Sequence, residues 1–217
     1  MAISTAQHDN QLPARLRAHG RLTPPKSGDV LVTASVGPSG EAITLWADPA
    51  AQRSLLKPSR LDESCANQPV SARVVIQSSS TTTVTALADL DLPFCQVQPL
   101  PGGQILVVAT RGGTAVIYDA DGVPLRRGSV SDGIEHVLTT PAGRVWIGYF
   151  DEGVYGNDPV GHHGIVRYAA DLEPDWMYPY DTGFGPVDDC YTLNVEGETA
   201  WSCYYSGFRS YGCPTGR

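Results

Sequence analysis

The sequence lacks the features that mark membrane, secreted and nucleic-acid-binding proteins. Its longest apolar run beyond the N-terminal segment, ILVVA at 105–109, is far too short to cross a bilayer. The first 22 residues contain no apolar core of the length that a secretory signal needs. Lys and Arg number 15 against 23 Asp and Glu, a formal charge of −8, whereas nucleic acids and anionic membranes both favour clustered positive charge. We therefore expect a cytoplasmic protein whose partner is neither a nucleic acid nor a membrane.

Cysteine is scarce and unpatterned, and familiar catalytic motifs are missing. The chain has no C-x-x-C pair and no zinc-finger spacing among its five cysteines, which are Cys65, Cys95, Cys190, Cys203 and Cys213. Free thiols are the expectation, with a Cys190–Cys203 disulfide as the alternative for an exported protein. Nucleophile elbows, phosphate loops, dinucleotide fingerprints and H-E-x-x-H are absent. A Ser-His-Asp triad needs no local spacing, so these absences leave open whether the protein is an enzyme.

What the chain does contain is typical of short strands joined by tight turns. It has 23 Gly, 17 Pro and 10 Tyr, together with many Val, Ile and Thr. Helical periodicity is nearly absent, and only residues 49–57 are expected to form a short helix.

An internal repeat underlies unequal loops. Four stretches share a short strand, a turn with Gly and a more apolar strand: 22–34, 97–109, 137–149 and 192–204. Their turn glycines are Gly28, Gly103, Gly143 and Gly197, and the middle two lie 40 residues apart, which is the length of a four-stranded propeller blade. Residues 115–129 and 164–179 repeat as well, matching Tyr118 with Tyr168.

The repeat predicts an all-β fold, a β-propeller-like array of about four four-stranded blades with the last one incomplete. A sandwich of unrelated hairpins does not explain the matched turns. We predict a polar N-terminal segment at 1–20 and one propeller-like domain at 21–217. Its blades are expected at about 21–91, 92–131, 132–181 and 182–208, followed by a tail at 209–217 without a third or fourth strand. Three tryptophans, Trp46, Trp146 and Trp201, are expected to pack between blades, and one of Tyr204 and Tyr205 to face the core.

Three motifs, WIGYFDEGVYGN (146–157), GPVDDCYTLNVEG (185–197) and YYSGF (204–208), resemble a family of uncharacterised bacterial, mostly actinobacterial, β-propeller-like repeat proteins. The resemblance covers roughly residues 28–208. Family members continue into further blades where this sequence departs at about Arg209, so the resemblance implies a chain truncated at its C-terminus. It implies no activity, because none is established for the family.

Alternating strand directions predict where a site lies. Loops between second and third strands share one face with the connections between blades, and the tight turns lie on the other face. The irregular polar loops at 89–95, 129–136, 150–164 and 181–190 therefore gather on one loop-rich face. The candidate ligand-binding residues on this face are Asp151, Glu152, Asn157, His162, His163, Asp188 and Asp189.

Two functions follow from these residues. The leading hypothesis is a propeller-type scaffold that binds a protein partner or small ligand on the loop-rich face, with no catalysis and no cofactor. The alternative is a divalent-metal-dependent hydrolase or lactonase that holds Ca²⁺ or Mg²⁺ through Asp151, Glu152 and Asp188, since carboxylate oxygens suit these ions. His162 and His163 are adjacent, so their side chains diverge and cannot form a metal pair, although one could act beside His136. Self-association through open blade edges is a further expectation.

Overall fold

The computed structural model describes residues 21–56, 68–181, 183–205 and 210–214. Almost all of its regular structure is β-strand, with two short helices, α1 (Pro49–Leu55) and α2 (Asp151–Val154), and two 3₁₀ turns, Pro101–Gly103 and Gly161–His163. The strands are β1 (Val30–Val36), β2 (Ala42–Ala47), β3 (Val70–Gln77), β4 (Thr82–Leu90), β5 (Cys95–Pro99), β6 (Ile105–Ala109), β7 (Thr114–Tyr118), β8 (Pro124–Ser129), β9 (Ile134–Thr139), β10 (Val145–Tyr149), β11 (Ile165–Tyr168), β12 (Pro174–Met177), β13 (Asp189–Glu196), β14 (Thr199–Tyr205) and β15 (Ser210–Pro214).

Consecutive strands pair into four antiparallel sheets in chain order, which we call blades 1 to 4: β1–β4, β5–β8, β9–β12 and β13–β15. The first strand of each blade contacts the first strand of the next, from β1 through β5 and β9 to β13. The sheets therefore stand side by side around their first strands, as blades do. The predicted fold class is confirmed, including a last blade that has three strands among the described residues.

Three apolar clusters lie between successive blades and hold the array together. Successive side chains of a strand point to opposite faces, so a central strand contributes to two clusters. In β6, Ile105 packs against blade 1 while Leu106 packs against blade 3. In β10, Ile147 packs against blade 2 while Trp146 packs against blade 4. This double burial explains why both strands are continuously apolar rather than alternating.

The hairpins predicted in blades 2, 3 and 4 are confirmed, and the one predicted around Gly28 is wrong. Gly103, Gly143 and Gly197 lie in the predicted turns with φ of 76°, 81° and 58°. Residues 22–29 contain no strand, and Gly28 lies in a turn before β1. The preceding Pro24 and Pro25 lack the amide hydrogens that a strand ladder requires. The first hairpin is instead β1–β2.

The end of the chain also differs from its prediction. The tail contains a third strand, β15, which pairs with β14 from Ser210–Cys203 to Pro214–Thr199. Its Gly and Pro residues are typical of turns, so the sequence did not predict a strand here. Gly and Pro are tolerated on an edge strand because one side of such a strand forms no hydrogen bonds to a neighbouring strand. The predicted N-terminal segment, 1–20, lies outside the described residues.

Two of the three tryptophans pack as predicted. Trp46 and Trp146 are 6% and 0% exposed, but Trp201 is 40% exposed, so the prediction of core packing is wrong for it. Trp201 points away from blade 3, where no further sheet covers it in the described part of the chain. The neighbouring tyrosines behave as expected, with Tyr204 buried and Tyr205 exposed.

The described cysteine side chains, Cys95, Cys190 and Cys203, are free thiols, so the alternative Cys190–Cys203 disulfide is not formed. Burial raises the pKa of Cys95 and Cys190 to about 12, and both thiols are therefore protonated and unreactive at neutral pH.

Candidate functional site

Backbone contacts bring the irregular loops to one face. The amide of Phe94, between blades 1 and 2, donates to the Leu55 carbonyl of α1 at 2.8 Å. The Asp132 carboxylate, between blades 2 and 3, accepts from the amide of Gly112 at 2.6 Å. The amide of Phe150 donates to the carbonyl of Gly133 at 3.0 Å. The loop-rich face predicted from strand direction is therefore present.

The loop at 150–164 is seated by glycines. A Cβ on Gly133 would lie 2.2 Å from the amide nitrogen of Gly153, and a Cβ on Gly153 would lie 2.5 Å from the Asp132 carbonyl oxygen. Only glycines allow this approach, which fixes α2 against the connection between blades 2 and 3. Asp151 and Glu152 occupy the first turn of α2 as a consequence.

The two histidines of this loop brace its backbone. His162 Nε2 lies 2.9 Å from the carbonyl oxygen of Gly156. His163 Nδ1 lies 2.8 Å from the carbonyl oxygen of Tyr178, and its ring stacks on Tyr180 with centroids 4.5 Å apart. The rings serve different segments, as expected for adjacent residues. Each of these two nitrogens donates to a carbonyl, so neither is available as a metal ligand or a base.

Glu152, another of the predicted carboxylates, pairs with a cation of a neighbouring loop. It forms an exposed ion pair with Arg111 of the β6–β7 loop, and the Arg111 guanidinium lies 4.8 Å from the centre of the Phe150 ring. Glu152 therefore links two loops of the face. Asn157, another predicted residue, is exposed beyond α2.

Asp151, Asp188 and Asp189 gather on the side nearest blade 4. Asp188 accepts a hydrogen bond from the Tyr155 hydroxyl, and this bond is the main cause that raises the pKa of Tyr155. Burial raises the pKa of Asp189, and the negative charges of Asp151 and Glu135 raise it further, whereas His136 opposes them. Carboxylates from three separate segments thus repel one another across this surface.

Six residues define what we call the acidic–aromatic surface: Glu135, Asp151, Tyr155, Asp188, Asp189 and Tyr205. Glu135, Tyr155 and Tyr205 were missed by sequence reasoning. The alternation of β9, which points Glu135 away from the core, could have identified Glu135, whereas the position of Tyr155 depends on the turn of α2. Tyr155 and Tyr205 are 71% and 51% exposed, so ring surface is accessible beside the carboxylates.

No group of three or more His, Cys, Asp or Glu side chains in the described ranges is placed so that it could hold a metal ion. Within the predicted metal set, Glu152 pairs with Arg111 and Asp188 accepts a hydrogen bond from Tyr155. The described residues also contain no helix that is long and apolar enough to span a membrane.

Solved structures share the fold at low sequence identity. A protein of unknown function from Bacteroides caccae has a TM-score of 0.51 and 12% identity, over 85% of this chain and 59% of that chain. The calcium-binding protein regucalcin from Agrobacterium tumefaciens has a TM-score of 0.44 and 13% identity, over 85% of this chain and 61% of that chain. A gluconolactonase from Xanthomonas campestris has a TM-score of 0.45 and 13% identity, over 94% of this chain and 73% of that chain.

These similarities concern the fold, which is of the β-propeller type, and not the chemistry. The chain spans about three fifths of the length of the first two proteins. No family model and no curated protein matches the sequence, so the resemblance to an actinobacterial family stays a prediction.

Proposed function

We propose that the protein is a non-catalytic β-propeller-type scaffold that binds a positively charged small ligand or protein segment at the acidic–aromatic surface. The observation that carries this proposal is the convergence of three segments: Asp151 and Tyr155 of the 150–164 loop, Asp188 and Asp189 at the start of β13, and Glu135 of β9. A rigid stack of blades holds these loops in place, which is the usual arrangement of a binding surface on a repeat scaffold.

Charge gives the preference for a cation. Burial raises the pKa of Asp189, and the negative charges of Asp151 and Glu135 raise it further, so part of the cost of ionising this carboxylate is repulsion. A bound ammonium or guanidinium group would relieve this repulsion. The exposed ring of Tyr155 can add a cation–π contact of about 0.5–1 kcal/mol, the magnitude typical of exposed sites. Acidic surfaces also accelerate the association of basic partners.

The test is a titration with a fluorescein-labelled peptide of alternating Arg and Gly, followed by anisotropy. We expect saturable binding that weakens as salt is raised, because screening reduces attraction between exposed charges. The double variant Asp188→Asn with Asp189→Asn should weaken binding at least about 10-fold, which corresponds to roughly 1.4 kcal/mol. A peptide of alternating Asp and Gly should not bind.

The matched control is Asp121→Asn, which removes an exposed carboxylate from the tight turn between β7 and β8. That turn lies on the face opposite the loops, so this variant should bind like the natural chain. Equal loss of binding in Asp121→Asn, or no binding of the Arg-Gly peptide at low salt, would contradict the proposal.

The alternative is a metal-dependent hydrolase or lactonase, which needs a different arrangement of the carboxylates. It requires Asp151, Glu152 and Asp188 to meet on one ion, whereas Glu152 pairs with Arg111. Turnover of a lactone or phosphodiester panel that depends on Ca²⁺ or Mg²⁺ and is lost in Asp151→Ala would replace the scaffold proposal. We also propose that the protein acts in the cytoplasm, which its free thiols at Cys95, Cys190 and Cys203 support.

A further inference from the structure

A cavity of about 250 Å³ lies between the outer strands of blades 1 and 2. One wall comes from the end of β4, and the other from β7, β8 and the turn between them. Two side chains of β7, Val116 and Tyr118, are 2% and 5% exposed. The other lining residues lie nearer solvent: Ala88, Asp89, Gly122, Pro124 and Arg127. The cavity therefore has a buried inner wall and exposed residues at its mouth.

Contacts on either side of the cavity hold its two walls in place. On one side the β7–β8 turn packs on β4, where the Thr85 hydroxyl donates to the Ala120 carbonyl at 3.1 Å. On the other, Nη1 and Nη2 of Arg127 donate to the Asp91 carboxylate at 3.1 and 3.0 Å. Between these contacts the register of β4 against β3 shifts, at residues 87–90, and such a bulge bends a strand. These features keep the walls apart around a preformed cavity.

The repeat shows that Tyr118 has lost the partner that its equivalent keeps. Tyr118 in β7 corresponds to Tyr168 in β11, and Ala109 at the end of β6 corresponds to Tyr149 at the end of β10. The hydroxyls of Tyr168 and Tyr149 lie 2.7 Å apart, whereas Ala109 carries no hydroxyl. Among the residues that the structure describes, none forms a hydrogen bond with the Tyr118 hydroxyl. A buried polar group without a partner is costly, so this hydroxyl is a group that a ligand in the cavity would satisfy.

The electrostatics of the cavity make Tyr118 a hydrogen-bond donor. Its pKa is raised to about 12, chiefly by burial and then by the negative charge of Asp91, while Arg127 opposes the shift. The hydroxyl is therefore protonated at neutral pH. Because Arg127 is paired with Asp91, the carboxylate of Asp89 leaves negative charge at the mouth, which disfavours an anionic ligand.

We propose that this cavity binds a small neutral organic molecule that has an apolar body and a carbonyl oxygen, which accepts a hydrogen bond from the Tyr118 hydroxyl. Val116, Ala88 and Pro124 contact the apolar body. Mainly apolar walls with a few placed polar groups are the usual composition of a small-molecule site, and drug-sized ligands occupy roughly 300–1,000 Å³. A single substituted ring therefore suits this smaller cavity. The inference does not rest on the proposed cation binding, since the cavity shares no residue with the acidic–aromatic surface.

The test is fluorine NMR of two probes of similar size, para-fluoroacetophenone and para-fluoroethylbenzene, titrated with the full chain. The first has a carbonyl oxygen and the second does not. We expect saturable binding of the ketone, and Tyr118→Phe should weaken it about 5-fold, the effect of losing one hydrogen bond. The same variant should leave the affinity for the hydrocarbon unchanged. No binding of the ketone at millimolar concentration, or an unchanged affinity for it in Tyr118→Phe, would overturn the proposal.

The matched control is Tyr168→Phe, which removes the equivalent hydroxyl from the next junction. This variant should bind the ketone like the natural chain, and an equal loss of affinity would show that the Tyr118 hydroxyl is not the specific donor. Thermal unfolding without ligand separates the two tyrosines in a second way. Tyr168→Phe should lower the Tm because it breaks the bond with Tyr149, whereas Tyr118→Phe should not.

A larger side chain on the inner wall supplies an independent test of the place of binding. Val116 faces the junction between blades 1 and 2 and lines the cavity. Val116→Phe should therefore fill part of the cavity and weaken both probes at least about 5-fold. Circular dichroism shows whether its β structure is kept. Unchanged binding of both probes to folded Val116→Phe would place them elsewhere and overturn the proposal.

An anionic probe tests the predicted preference for a neutral ligand. para-Fluorobenzoate has nearly the same shape as the ketone but carries a negative charge, so the carboxylate of Asp89 should weaken its binding. Tighter binding of the benzoate than of the ketone would mean that Arg127 selects an anion and would overturn the assignment of a neutral ligand.

Discussion

Buried tyrosine hydroxyls form hydrogen bonds at two junctions, the one between blades 2 and 3 and the one between blades 3 and 4. The bonds are shorter at the first junction than at the second. At the first, the hydroxyls of Tyr149 and Tyr168 lie 2.7 Å apart and Tyr149 donates to the Val130 carbonyl at 2.6 Å. At the second, the hydroxyl of Tyr178, in the connection after β12, lies 3.1 Å from that of Tyr204 in β14. In both places a buried tyrosine pair holds a blade to the preceding connection, but the bonds are longer at blade 4.

The two junctions differ more clearly in whether their buried polar side chains have hydrogen-bond partners. In β5, the side chain of Gln96 clasps β9, donating to the Glu135 carbonyl at 2.8 Å and accepting from the Val137 amide at 3.2 Å. His136 holds the equivalent position in blade 3, since it pairs with Gly148 as Gln96 pairs with Val108. Its buried Nε2 has no hydrogen-bond partner among the residues that the structure describes.

Trp146 Nε1 is the other buried side-chain nitrogen without a partner in the described ranges, and it also faces blade 4. An unsatisfied buried polar group costs about 1–3 kcal/mol. Blades in an array are stabilised mainly by their neighbours. We therefore expect blade 4 to open before blades 2 and 3, at a lower free energy than global unfolding.

The largest contrast should come from truncating the equivalent residues Trp146 and Leu106. Trp146→Ala should cost about 3–5 kcal/mol and Leu106→Ala about 2–5 kcal/mol. Trp146→Ala should allow blade 4 to unfold while blades 1 to 3 stay folded. Leu106 lies between blades 2 and 3, so Leu106→Ala should lower the urea midpoint of the whole protein. Urea unfolding, with hydrogen exchange of peptides from 189–205, distinguishes the two. Simultaneous loss of all protection in Trp146→Ala would show that blade 4 is not a separate unit.

Exchanging the equivalent residues Gln96 and His136 should change the stability of the protein in opposite directions. Gln96→His removes two bonds to β9 and should destabilise the protein by about 1–3 kcal/mol. His136→Gln places a longer donor and acceptor beside β13 and should stabilise it by up to about 1 kcal/mol. The urea midpoint of each variant is the measurement. Destabilisation by His136→Gln as large as that by Gln96→His would refute the equivalence.

Removing the tyrosine hydroxyls should give a smaller difference. Tyr149→Phe leaves the Val130 carbonyl without its 2.6 Å bond and should cost about 1–2 kcal/mol. The Tyr204 hydroxyl makes longer bonds, 3.1 Å to Tyr178 and 3.4 Å to the Phe184 carbonyl, so Tyr204→Phe should cost about half as much. Thermal unfolding at neutral pH compares them. A reversed order would mean that the blade 3–4 junction is the stronger one.

The smallest effect concerns Asp189 and pH. Its pKa is raised above the ordinary 3.8, first by burial and then by Asp151 and Glu135. The folded state thus holds this proton more tightly, a contribution that is complete below pH 3.8 and lost as pH rises through the folded pKa. Asp189→Asn should therefore stabilise blade 4 at neutral pH by less than about 0.5 kcal/mol, and give no gain below pH 3.8. An equal gain at both pH values would exclude this cause.

Much of the architecture follows from local patterns. Hairpin turns with Gly103 and Gly143, the helix at 49–57 and the loop-rich face could all be predicted, because turn chemistry and strand alternation act over a few residues. The hairpin predicted around Gly28 does not form, because Pro24 and Pro25 lack the amide hydrogens that a strand ladder requires. The edge strand β15 was missed because backbone pairing, and not side-chain identity, forms it.

The sequence by itself determined that the chain forms repeated antiparallel blades and that its polar loops share one face. Only the tertiary structure decided how the side chains on that face pair. Glu152 is drawn to Arg111 and Asp188 to Tyr155, residues that lie 41 positions away in the first case. The exposure of Trp201 was likewise decided by the absence of a covering sheet in the described residues, and not by its apolar character. The physical reason is the same in each case: strand and turn preferences are local, whereas burial and charge pairing depend on what the folded chain places alongside.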